Sequence, residues 1–155
     1  MYKRQCLIIV GEGPERDRIE TETFAWGVER SVLMPGFMAD PAAWVGHFDI
    51  FALSSDSEQF PISLVEAMAA GLPVAAPAVG DIDEMVSEEN RPLISPAGEA
   101  QALSGALAAL AHDAGLRARL GQANRTAARA RFDETPMIEA YRRLYASAMG
   151  RASLP

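Results

Sequence analysis

The sequence predicts an α/β fold: a parallel sheet with helices on both faces, followed by C-terminal helices. Three observations predict it. Up to Ser95, short apolar runs of strand length alternate with stretches of helical spacing. The runs stop at turns rich in Gly, Pro, Ser and Asp. From Glu99 onward the chain reads as helix. Strands separated by helices pair in parallel, and a parallel sheet needs cover on both faces.

The first run is QCLIIV, residues 5–10, stopped by Gly11-Glu12-Gly13-Pro14. A helix is expected from Pro14 to about Gly27, with Ile19, Thr23 and Trp26 on one side. Residues 31–34 read as a second strand, ended by Pro35-Gly36. Asp40-Pro41 has the pattern of an N-cap with Pro at the first helical position, opening a helix to about His47. Residues 49–53 are a third strand and 54–59 a polar loop. Pro61 suits the first position of the next helix, where its missing N–H costs nothing. Gly71 suits that helix's stop. Residues 72–76 follow as a strand, 81–87 as a short helix and 91–95 as the last strand-like run. The closing helices are 100–112, 116–132 and 134–149. The last carries Met137, Ile138, Tyr141, Leu144 and Tyr145 at helical spacing, with Asp133 as N-cap. Residues 1–132 read as one domain, 133–149 as a closing helix and 150–155 as a tail that frays.

A chain of 155 residues can bury a real core. With 49% apolar and 23% charged residues it has the balance of a soluble globular protein. A net charge of −7 argues against nucleic acid or an anionic membrane surface as partner, since both need clustered cations. The arginines between 117 and 131 read as a solvated face, with a local basic patch left open. Cys6 is the single cysteine, so no internal disulfide forms and a reducing compartment fits. Inside its apolar run Cys6 reads as a small buried hydrophobe. No apolar run approaches the ~20 residues that span a bilayer, and no signal segment opens the chain. Cytoplasm is the expected location. His47 and His112 lack metal-ligand spacing, so both read as structural or surface groups and no metal is expected.

Between Gln59 and Gly80 the one charged side chain is Glu66. A lone carboxylate there needs a solvated face or a partner. Glu58 lies just ahead of the helix. Two carboxylates flanking a helix N-terminus can line one edge of a ligand crevice. In open α/β sheets ligands bind outside the carboxyl ends of strands. That rule brings the Glu58 loop and the loop through Gly80 and Glu84 to one crevice. Read singly, Glu58 and Glu66 also fit as solvated surface carboxylates. Gly11-Glu12-Gly13-Pro14-Glu15-Arg16 has two glycines of a dinucleotide fingerprint, but Arg16 stands where the third belongs. It fits better as a tight turn that lets a ligand approach the backbone.

The run SSDSEQFPISLVEAMAAGLPVAAPAVGDIDEMV resembles the signature of the retaining GT-B glycosyltransferases of family four, the glycosyl transferases group 1. That signature reads Pro-Ser-x-x-Glu-Gly-Phe-Gly/Pro, then Glu-Ala-Met-Ala-x-Gly-x-Pro-Val, then Gly-Gly-x-x-Glu. LIIVGEGPE, VLMPGFMAD, FDIFALSS and FDETPMIEAYRRLYASAM resemble further landmarks of the family. The resemblance covers residues 5–149. It implies a Rossmann-like, donor-binding C-terminal half of a GT-B fold, with a nucleotide-sugar donor of UDP or GDP type and no cofactor or metal in a dedicated site.

Residue by residue, the resemblance implies that Glu58 lies at the donor sugar as the catalytic carboxylate. It implies that Glu66 grips the ribose hydroxyls. Gln59, Phe60 and Pro61 fall on the loop that meets the diphosphate through backbone N–H groups, of which Pro61 has none. Gly11, Gly13, Gly36, Phe37 and Gly80 fall on turns that border the donor. The implied activity is sugar transfer with retention to a glycan or lipid-linked acceptor, as in polysaccharide biosynthesis. Gln59 replaces a glycine and Asp81 replaces the second glycine of Gly-Gly-x-x-Glu. The family's domain opens with a strand and loop carrying an Arg and a Lys, and Lys3 and Arg4 do not match it. The resemblance therefore implies a chain lacking that central strand and the acceptor-binding N-terminal domain, inactive alone. The alternatives are an epimerase or phosphorylase relative of the same fold and a non-catalytic assembly domain. A nicotinamide dehydrogenase stands third.

Overall fold

The computed structural model describes residues 5–152. Lys3 and Arg4 lie outside the described residues, as do residues 153–155 of the tail. The contacts divide the chain into two compact units, meeting in sequence between Pro41 and Ala42.

The first unit contains β1 (Leu7–Val10), α1 (Arg16–Ala25), a 3₁₀ turn (Glu29–Ser31) and β2 (Val32–Gly36). The two strands are parallel, with Leu7 opposite Val32 and Val10 opposite Gly36, and the register shifts between Ile8 and Val10. Arg16 ties the unit together: it pairs with Glu12 and Glu20 and donates to the Met34 carbonyl at 3.0 Å. Among the described residues of this unit only Gly36 is buried. One helix can cover at most one face of a two-stranded sheet. Leu7 is 53% exposed and Leu33 54%. One expectation fails here. Cys6 is exposed rather than buried, as are Leu7 and Ile8 beside it, because too few layers cover this strand. Helix α1 stops one residue short of Trp26, whose indole N–H donates to Glu22 at 3.3 Å.

The second unit begins with α2 (Ala42–Val45), β3 (Phe51–Ala52), α3 (Ile62–Ala70), β4 (Val74–Pro77) and α4 (Ile82–Met85). A 3₁₀ turn (Arg91–Leu93), β5 (Ile94–Ser95), α5 (Ala100–His112), α6 (Ala114–Arg131) and α7 (Glu134–Ala148) follow. The strands are parallel in the order β3-β4-β5, with Phe51 opposite Val74 and Ala76 opposite Ile94. All four residues of the central strand β4 are buried. Side chains alternate across a strand. Val74 and Ala76 accordingly share one core with Leu64 and Met68 of α3, Met85 of α4 and Ala128 of α6. Ala75 joins the other core with Ala106 and Leu110 of α5 and Leu120 of α6. Helices therefore cover both faces, as a parallel sheet requires.

Boundaries moved for physical reasons. Pro61 is the N-cap of α3, with extended backbone (φ −68°, ψ 112°), and not its first helical residue. Gly71 ends the helix in the left-handed region at φ 85°, as its position predicts. Residues 91–93 form a 3₁₀ turn, so the last strand shrinks to two residues. Asp133 caps α7 by accepting the Thr135 N–H at 2.9 Å. The apolar residues of α7 have the expected spacing, yet Met137, Tyr141, Leu144 and Tyr145 are each more than half exposed.

Two fully buried asparagines hold the entry to β4. Asn90 accepts the Val74 N–H at 2.9 Å and donates to the Val74 carbonyl at 2.8 Å, imitating a neighbouring strand. Asn124 on α6 donates to Asn90 Oδ1 and to the Leu72 carbonyl, both at 2.9 Å, and accepts the Ser87 N–H. The α3–α6 contact is close at its end. A Cβ at Gly121 would overlap the Gly71 carbonyl oxygen.

Candidate functional site

The carboxyl end of β3 leads into residues 54–60, and the carboxyl end of β4 into residues 78–81. Both loops belong to the second unit, and they touch. The Asp81 N–H donates to the Gln59 carbonyl at 2.9 Å. Gly80 adopts φ +56°, and a Cβ there would overlap the Glu58 carbonyl oxygen and lie 2.7 Å from that of Gln59. Only glycine combines that φ with that proximity. Gly80 thus seats the backbone of the Glu58 loop, bringing together two loops that lie more than twenty residues apart in sequence.

With both carbonyls of that loop turned to the Gly80–Asp81 turn, the following N–H groups are left over. Pro61 caps α3 without a side-chain hydrogen bond. The Leu64 N–H already bonds the Pro61 carbonyl at 3.1 Å. Among the described residues, the N–H groups of Gln59, Phe60, Ile62 and Ser63 have no protein acceptor. Such groups at a helix N-terminus, reinforced by the helix dipole, favour an anion. Phe60 holds the loop from the side by an edge-to-face contact with Phe132, centroids 5.5 Å apart. The Arg131 guanidinium lies 5.0 Å over the Phe132 ring.

Glu58 is half-buried and accepts the Ser55 hydroxyl at 2.7 Å on Oε1. Glu66 is the fifth residue of α3 and is also half-buried, beside the buried Ala67 and Met68. Among the described residues nothing hydrogen-bonds or ion-pairs with the Glu66 carboxylate. An unpaired carboxylate next to a core can accept two hydroxyls from a ligand. Glu84 lies exposed on α4.

The remaining expected positions belong to the first unit. Gly11 and Gly36 have φ +118° and +81°, and the Gly11 N–H donates to the Gly36 carbonyl at 2.9 Å. Gly13 closes the turn into α1 by accepting the Arg16 N–H. Phe37 is 79% exposed. His47 and His112 are both exposed, His112 within 2.7 Å of the Ala108 carbonyl. No group of three His, Cys, Asp or Glu side chains among the described residues is placed to hold a metal. No helix among them is long and apolar enough to cross a membrane.

Sequence reasoning missed Ser55 and the Asp81 amide. Ser55 stands three residues before Glu58, close enough for its hydroxyl to reach that carboxylate, and this spacing was a usable signal for the first. Nothing local marks the second, because an amide's partner is set by the fold.

Known proteins are similar to this chain over most of its length. The chain is 28% identical over 139 residues to the lipopolysaccharide core biosynthesis glycosyltransferase LpsD of Rhizobium meliloti, covering 90% of this chain and 40% of that protein. Its structure is similar to that of Anabaena Alr3699/HepE in complex with UDP, with a TM-score of 0.84 and 26% identity over 92% of this chain and 41% of the other. HepE has also been seen in complex with UDP-glucose. Sucrose-phosphate synthase from Thermosynechococcus elongatus is similar at a TM-score of 0.78 and 29% identity, over 91% of this chain and 39% of the other. The chain thus spans about two-fifths of the length of each. The Glycosyl transferases group 1 profile matches residues 1–127, most of the chain. The chain therefore belongs to the glycosyl transferases group 1 family.

Proposed function

We propose that the second unit binds the nucleotide-sugar donor of a retaining glycosyltransferase that passes the sugar to a glycan or lipid-linked acceptor. The observation that carries this reading is the unpaired Glu66 carboxylate on the same helix whose N-terminus offers free N–H groups beside Glu58. Glu66 accepts the two ribose hydroxyls. The diphosphate lies against the N–H groups of Gln59, Phe60, Ile62 and Ser63. Glu58, at the donor sugar, accepts a sugar hydroxyl and faces the centre where positive charge develops as the bond to phosphate breaks. Negative charge builds on the departing diphosphate, and preorganised N–H donors stabilise it without reorganising. No resident metal takes part in this reading, so EDTA leaves nucleotide binding unchanged. The single Cys6 fits a reducing, cytoplasmic setting.

The test is a thermal melt of this chain alone and with UDP, GDP or ADP at millimolar concentration. One nucleotide raises the midpoint by mass action. Glu66→Ala abolishes most of that rise, weakening binding by ~1.5–3 kcal/mol, the scale of hydrogen bonds to a charged group. Equal affinity in wild type and variant rejects Glu66 as the ribose clamp. A melt indifferent to all three nucleotides rejects the donor site.

A further inference from the structure

We propose that Ser55 is the positioning residue for Glu58, and that it thereby sets the sugar-dependent part of donor recognition. This rests on the donor-site reading above. The Ser55 hydroxyl donates to Glu58 Oε1 at 2.7 Å, the length of a charge-assisted bond. Ser55 is half-buried, whereas Ser54 and Ser57 on either side are exposed. The backbone of Glu58 is fixed independently, by its carbonyl against Gly80 and by the Gln59 carbonyl accepting from Asp81.

One residue is therefore held at both ends, while a free glutamate on a loop would sample many rotamers. With Oε1 engaged by a donor from its own loop, Oε2 is the oxygen left to accept a hydroxyl of the donor sugar. Removing the Ser55 hydroxyl frees the carboxylate without touching Glu66 or the N–H groups of α3. Sugar recognition then weakens and recognition of the bare nucleotide does not.

The experiment measures UDP and UDP-glucose affinity by calorimetry on the full 155-residue chain, for wild type, Ser55→Ala, Ser55→Thr and Glu58→Gln. The carboxyl carbon resonance of Glu58 is followed in the unliganded wild type and both Ser55 variants. The expected result for Ser55→Ala is a UDP-glucose affinity at least fivefold weaker, an unchanged UDP affinity and a displaced Glu58 resonance. Ser55→Thr, which keeps the hydroxyl, restores affinity and resonance. Equal losses for UDP and UDP-glucose show a merely structural role and overturn the proposal. So does an unmoved resonance, or an unchanged UDP-glucose affinity where Glu58→Gln weakens it. If the wild type binds neither probe, the same measurements are made with whichever of GDP and ADP raises its melt and with that nucleotide's glucose conjugate; if none of the three nucleotides raises it, the donor-site reading itself fails and the proposal falls with it. The resonance then still reports whether the hydrogen bond exists.

Discussion

The two units use the same local grammar and reach different states. Each has a short apolar strand, a glycine turn, a helix and a parallel partner strand. In the second unit β4 is flanked by two strands and covered on both faces, and Val74, Ala75 and Ala76 are fully buried. In the first, among the described residues, β1 and β2 pair only with each other, and Leu7, Ile8 and Leu33 remain exposed. An apolar strand supplies material for a core; the number of layers around it decides whether one forms. The difference also bears on function. The proposed donor site, on the Glu58 loop and α3, stands on the unit with the dense core, and binding sites are held best by rigid elements.

The sharpest way to break this contrast is at the buried asparagines. Asn90→Leu removes three hydrogen bonds, to Val74 N–H, Val74 C=O and Asn124, inside a fully buried site. Each stranded polar group costs about 1–3 kcal/mol, so a loss of roughly 3–5 kcal/mol is expected in a urea titration. A loss under ~1 kcal/mol means that water replaces the side chain and the second unit is less closed than described.

A paired core truncation sharpens the same comparison at a smaller scale. Leu64 is fully buried on α3, and Leu64→Ala is expected to cost ~2–5 kcal/mol. Leu33 on β2 is more than half exposed, and Leu33→Ala is expected to change stability by no more than ~1 kcal/mol. The two midpoints measured side by side decide the matter. Similar losses would show that β1 and β2 are as firmly packed as β4.

These residues also show what the sequence made legible. The alternation of strands and helices is read from apolar spacing, and the contact between the Glu58 and Gly80 loops from the carboxyl-end rule. Gly71 is read from its place after an apolar helix. The asparagines were not legible. Asn124 lies in a helix of alternating Ala and Arg, and nothing nearby marks it as buried rather than solvated. Its burial depends on Leu72, Ser87 and Asn90, which are 34 to 52 positions away. Cys6 shows the converse error. Its apolar neighbours imply burial only if layers exist to cover them, and periodicity reports apolarity without reporting cover.

A last pair of variants bears directly on the site. Gly80 and Gly98 both have positive φ, +56° and +77°. A Cβ at Gly98 meets nothing within 4 Å, whereas one at Gly80 runs into the Glu58 and Gln59 carbonyls. Gly98→Ala therefore measures the cost of left-handed backbone alone, ~1 kcal/mol. Gly80→Ala adds displacement of the Glu58 loop, and overpacking of this kind costs a further ~1–3 kcal/mol. The decisive reading is the nucleotide. Gly98→Ala leaves UDP affinity unchanged. Gly80→Ala moves the carbonyls that orient the free N–H groups of Gln59 and Phe60, and it lowers UDP affinity by more than its effect on global stability explains. If both variants bind UDP as the wild type does, the loop is not seated by Gly80, and the anion cradle belongs to α3 alone.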